Sequence, residues 1–150
     1  MAPGGLAGGA RAGDAGLIAR ATSVAARVAR AVDPAGRLPG RLAIGWRSAG
    51  TWDSLAGVAQ MANIWLRLHE ITRERQWLEP VDVVLRFLKS TQNRTTQDPR
   101  VRGGVKASFP VGAGYDSYQV LSSGTGFAES LIRDELRRAG IGPLAVRGAA

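Results

Sequence analysis

Residues 53–72 read DSLAGVAQMANIWLRLHEIT, and the way this stretch folds governs everything around it. Leu55, Val58, Met61, Ala62, Ile64, Trp65, Leu66, Leu68 and Ile71 are apolar. At about 100° per residue they occupy most of a helical circumference. A helix of that kind is enclosed by other protein rather than laid on a surface. Gln60, Asn63, Arg67 and Glu70 interrupt it at steps of three, four and three, which gathers them into one narrow polar stripe. Such a stripe faces a solvent-filled cavity, carries an internal hydrogen-bond network, or reaches bulk water. At the front of the helix, Thr51 or Asp53 offers a short oxygen-bearing side chain to cap the free N–H groups of the first turn.

The flanking segments are helical too. Arg73-Glu74-Arg75 makes a short turn before Trp77, and Glu79-Pro80 sets a proline in the first turn of the next helix, where its missing N–H costs nothing. That helix, about residues 80–91, carries Val81, Val84, Leu85 and Leu88 on one face. So short a connection makes the two helices antiparallel, an αα-hairpin. A last helix is predicted over about 123–138, with Phe127, Leu131 and Leu136 apolar and Gly140 past its end. Upstream, Leu17, Ala21, Val24, Val28 and Ala31 recur at steps of three and four while Arg20, Arg27 and Arg30 fall off the stripe. This predicts an amphipathic helix over 17–32, stopped by Asp33-Pro34 and Gly36. Residues 34–51 and 92–122 are rich in glycine and proline and read as long ordered loops, the first anchored by Ile44 and Trp46. Only 106–111 reads as a strand. The expected fold class is all-α, with residues 1–15 a low-complexity lead-in, 16–140 the folded domain and 141–150 a tail.

Composition removes much chemistry. A chain of 150 residues, 45% hydrophobic and 21% charged, is one globular domain rather than a disordered tail or a membrane protein. No stretch approaches the roughly 18–20 continuous apolar residues of a membrane span. Residues 1–15 lack a basic region followed by an apolar one, so a bacterial-type cytoplasmic location is expected. The absence of cysteine excludes disulfides, thiolate metal sites and a cysteine nucleophile. A single histidine, His69, leaves a three-histidine metal site or a Ser-His-Asp relay hard to assemble. No metal or cofactor is expected, and His69 reads as a packed, hydrogen-bonded side chain. Lys+Arg is 20 against Asp+Glu 12, a net charge of +8, and all but Lys89 and Lys106 are arginine. These are scattered singly apart from Arg137-Arg138, with no basic run interleaved with aromatics, so no nucleic-acid partner is expected.

Two blocks carry a resemblance. They are LAGVAQMANIWLRLHEIT at 55–72 and RGGVKASFP at 102–110, with Tyr115 shortly after. Together they resemble the C-terminal part of bacterial proteins that form α/α toroids. Those proteins are relatives of six-hairpin glycosidases and of the terpenoid cyclase and protein prenyltransferase toroids, and are often associated with polysaccharide biosynthesis. The likeness covers about residues 36–136. It implies helical hairpins of an incomplete α/α toroid with long ordered loops around a carbohydrate site. The chain departs from the family at 54–57, Ser-Leu-Ala-Gly for Cys-Leu-Thr-Gly, and at 122–127, Ser-Ser-Gly-Thr-Gly-Phe for Asn-Trp-Ala-Thr-Lys-Phe-Phe. A six-hairpin ring needs about a dozen helices. The expectation is therefore an open C-terminal remnant whose central helix lacks neighbours, with exposed apolar surface and either self-association or a protein partner.

Sugar sites in such a fold combine aromatic platforms with carboxylates and amides. Trp46, Trp52 and Tyr115 offer flat apolar faces, and Gln60, Arg67 and Lys106 offer donors to hydroxyls or acidic substituents. Trp46 and Trp52 read more readily as pins of a long loop to a core, and Trp65 and Trp77 read as core. Glycoside hydrolysis needs two carboxyl groups about 5–10 Å apart, one protonated and one ionised. Asp116, in Gly114-Tyr115-Asp116-Ser117-Tyr118, is the best catalytic candidate and Asp53 the second, although Asp53 reads first as a helix cap. Asp98, before Pro99, reads as a turn residue. No Asp-x-Asp-Asp or Asp-Asp-x-x-Asp is present, which disfavours terpenoid cyclisation. Gly103-Gly104-Val105-Lys106 reads as a tight turn presenting Lys106, not a phosphate loop. The expected function is a non-catalytic carbohydrate-related module that binds an oligosaccharide, a polysaccharide or a polysaccharide-biosynthesis partner. The alternative is a glycoside hydrolase-like enzyme working through carboxylates in its loops.

Overall fold

The computed structural model describes residues 15–114 and 124–141, the second stretch with side chains from 129 onward. All but the first residue of the expected tail and all but the last residue of the lead-in lie outside the described residues, as do Tyr115 and Asp116. In chain order the elements are α1 (Ala15–Arg30), β1 (Asp53–Ser54), α2 (Leu55–Thr72), a 3₁₀ turn (Arg75–Trp77), α3 (Leu78–Thr91), β2 (Ser108–Phe109) and α4 (Gly124–Arg138). The class is all-α, with one two-residue antiparallel strand pair, Asp53 opposite Phe109 and Ser54 opposite Ser108.

Helix α2 is the centre, as its all-round apolar pattern requires. Leu55, Val58, Ala59, Met61, Ala62, Ile64, Trp65, Leu66 and Leu68 are buried, and α1, α3 and α4 pack along it. Each large side chain so buried contributes on the order of 1.5–3 kcal/mol of apolar transfer. The expected shortage of neighbours does not arise: along α2 the one large apolar side chain left exposed is Ile71, near its C-terminal end. Two buried polar bonds set the register of the packing. Trp65 Nε1 donates to the Ala25 carbonyl of α1 over 3.0 Å, and Ser130 Oγ on α4 donates to the Ala59 carbonyl over 2.8 Å.

The hairpin from α2 to α3 follows the sequence closely. Arg73 ends α2 in the left-handed region, φ 60°, and donates its N–H to the His69 carbonyl. The His69 ring is hydrogen-bonded with the Glu74 carbonyl at 3.0 Å. Trp77 is buried and donates from Nε1 to Glu74 Oε2. Pro80 sits in the first turn of α3, whose Val81, Val84, Leu85 and Leu88 face the core.

The front of α2 differs from expectation. Ser54, not Thr51 or Asp53, is the N-cap, its side chain accepting from the Gly57 N–H. Asp53 is one residue too early and belongs to β1. The loop before it folds back on itself: Leu42 bridges Ser48, Pro39 bridges Asp53, and Gly45 and Trp46 turn the chain at φ 83° and 64°. Trp46 is half-buried and does anchor this excursion, but Ile44 stands at its tip, 99% exposed, and anchors nothing. Gly36 is obligatory on two counts, a φ of +86° and a position where a Cβ would lie 2.4 Å from the Val83 carbonyl oxygen of α3.

Candidate functional site

Two neighbouring depressions collect the sequence-predicted residues at the front of α2. The larger is a groove of about 720 Å³ between α1, the 38–46 loop and the first turns of α2. The predicted core stripe of α1 is its wall: Leu17, Ala21 and Val24 are only half-buried there, whereas Ala25 and Val28 further along are covered. Trp46, with the Arg27 guanidinium 5.9 Å from its ring centroid, and exposed Gln60 both line the groove. The smaller depression is a polar cleft of about 230 Å³ holding Trp52, Asp53, Arg37 and Asp33. Pro39 lines both, so the segment through it is the wall between them.

The cleft is built on a charge pair. Asp53 is buried, and its Oδ2 accepts from Arg37 Nε over 2.7 Å. That hydrogen bond, with the charge behind it, holds the Arg37 guanidinium above its ordinary pKa. Arg37 also lies over the Phe109 ring at 5.6 Å, and Phe109 meets Phe87 edge-on at 5.5 Å, so β2 and α3 buttress the pair. Asp33, the other carboxylate of the cleft, receives the N–H groups of Ala35 and Arg37 on Oδ1. Trp52 packs over glycine: a Cβ at Gly40 would fall 2.1 Å from its ring, and one at Gly114 would fall 3.1 Å from it. These contacts make Trp52 a loop anchor as well as a wall of the cleft.

Of the eight predicted site residues the structure therefore brings four together: Trp46 and Gln60 on the groove, Trp52 and Asp53 on the cleft. Arg67 is elsewhere. It donates to Glu70 Oε2 over 2.8 Å, and Glu70 also receives Arg133 of α4 at 3.1 Å, so this end of the polar stripe is an internal network. Lys106 is half-buried and lines neither depression. Tyr115 and Asp116 lie outside the described residues. Asp98 is the turn residue expected, held below the usual carboxylate range chiefly by the Arg100 side chain.

Sequence reasoning missed Arg37 and Asp33, which sit in loop positions with no period to mark them, and it missed Asp134. Asp134 is 1% exposed on α4, with Arg137 Nη2 at 2.6 Å and Arg138 Nε at 2.8 Å. Burial pushes its carboxyl up, yet the two arginine hydrogen bonds outweigh that and hold it below the ordinary value. Both arginines reach on to Asp82 of α3. Among the described residues no group of three or more His, Asp or Glu side chains is placed to hold a metal ion, and no helix is long and apolar enough to cross a membrane. No protein family, curated protein or solved structure matches this chain.

Proposed function

We propose that the chain is a degenerate carbohydrate-related α/α-toroid module that binds a glycan, or a partner in polysaccharide biosynthesis, and does no chemistry on it. The toroid part rests on the two motif blocks at 55–72 and 102–110 and on an all-α hairpin core centred on the first of them. The observation that carries the binding part is that Trp46 and Gln60, an apolar face and an amide, line one groove, beside a cleft lined by a second aromatic, Trp52. What favours binding over catalysis is Asp53. Its Oδ2 is taken by Arg37, the arrangement of a structural ion pair.

Asp33 and Asp53 share the cleft with Trp52, and that favours the hydrolytic alternative, with Asp116 as a further carboxyl group. One experiment divides the two. The full chain is applied to an array of neutral and acidic oligosaccharides, and each retained glycan is then incubated with it and assayed for new reducing ends. Retention without cleavage is the expected result. Cleavage that disappears in Asp116→Asn or Asp53→Asn, with the fold intact, establishes the enzyme instead, and a folded protein that retains nothing removes the glycan reading.

A further inference from the structure

The groove is more apolar than a sugar site requires. Its wall is the N-terminal half of the α1 stripe, Leu17, Ala21 and Val24, faced by Leu42 and Met61. A helix face with this periodicity is built to be covered, yet these three residues stay half-buried while the same stripe is buried one turn later at Ala25 and Val28. A volume of about 720 Å³ lies in the range of small-molecule sites, about 300–1,000 Å³. The charge on the lining is of one sign. Arg20 is its single charged residue, no carboxylate faces in, and Arg20 makes no ion pair among the described residues. Arg27 adds a second positive charge over Trp46.

We infer that this groove takes an amphiphile: an apolar chain along α1 with an anionic head at Arg20. The chain fills the half-covered stripe between α1 and Met61, and the head satisfies a guanidinium that has no acidic neighbour in the groove. A glycan held at Trp46 and Gln60 leaves the α1 stripe and Arg20 uncovered, and a cationic head meets Arg20 with like charge. The inference does not rest on the glycan reading, because the ligand it describes needs no sugar.

The test is calorimetric titration of the full chain with four eight-carbon probes below micelle formation: octyl phosphate, octanoate, octyl glucoside and octyltrimethylammonium. The two anions bind and the ammonium does not, and the tighter anion names the head group. Hexyl phosphate binds weaker than octyl phosphate by about fourfold per methylene removed. Arg20→Glu, at an exposed position, weakens both anions at least tenfold, and Ala21→Phe, which fills the groove, abolishes them. Should Ala21→Phe not fold, Arg20→Glu and the chain-length series still decide. Ammonium binding equal to phosphate, anion binding indifferent to Arg20→Glu, or no binding of either anion overturns the inference. Binding of the glucoside alone also overturns it while leaving the glycan reading standing.

Discussion

Arg37 Nε lies 2.7 Å from Asp53 Oδ2 and ties the loop after α1 to the strand that leads into α2. The pair is half in water, the Arg37 side chain 42% exposed and that of Asp53 7%, so its weight falls on the acid. Asp53→Ala removes the acceptor from a buried position and leaves the guanidinium without it. The urea midpoint falls in Asp53→Ala and, by less, in Arg37→Ala. The double variant loses less than the two single losses together, because each single change already breaks the shared bond. Additive losses contradict the clamp.

Asp134 makes the stability of α4 pH-dependent. Its folded-state pKa is depressed, so the stability it adds is present above the unfolded-state value of about 3.9 and is lost as pH falls below it. At pH 7 Asp134→Asn costs about 1–3 kcal/mol, since a buried acceptor of charged hydrogen bonds is weakened. At pH 3 the difference between variant and wild type shrinks. Urea unfolding at the two pH values measures it.

Trp65→Phe keeps most of the ring and deletes the donor to Ala25. The loss expected is about 0.5–1.5 kcal/mol, the net worth of the indole hydrogen bond, because the Ala25 carbonyl lies within α1 and keeps its helical partner. Trp65→Ala adds a cavity at a side chain with no exposed surface and costs about 3–5 kcal/mol. Equal losses in the two variants place the energy in the hydrogen bond, not in the packing.

Gly36→Ala strains a φ of +86° and drives a methyl group onto the Val83 carbonyl. Destabilisation of about 1–3 kcal/mol follows, whereas Gly45→Ala, at the same backbone region but in open space, costs less. Thermal melts of the two variants separate the crowding from the strain.

These residues also show what the sequence could disclose. Helix α2 was legible because an apolar circumference has one explanation, burial on all sides, and α3 because Val81, Val84, Leu85 and Leu88 repeat cleanly. Two-residue strands have no period to read, so β1 is indistinguishable in sequence from the start of α2, and Thr51, Asp53 and the true cap Ser54 all carry a capping oxygen. Ile44 was an apolar residue in a loop and was given an anchoring role that its place at the tip rules out. Asp134 carries a charge on a helix rich in charges, and only the three-dimensional meeting with Arg137, Arg138 and Asp82 separates it from a solvated face. The groove is half visible in sequence: Trp46 and Gln60 stand out by their chemistry, while the α1 residues that line it with them have the spacing of core.

A glycan array run on wild type, Trp46→Ala and Gln60→Ala asks whether Trp46 and Gln60 form one binding surface. The wild type retains a set of oligosaccharides. Both variants, still folded although Trp46→Ala melts lower because it loosens the 38–46 loop, lose the same members of that set by at least tenfold. Retention unaffected by either change, or lost only together with the fold, contradicts the claim.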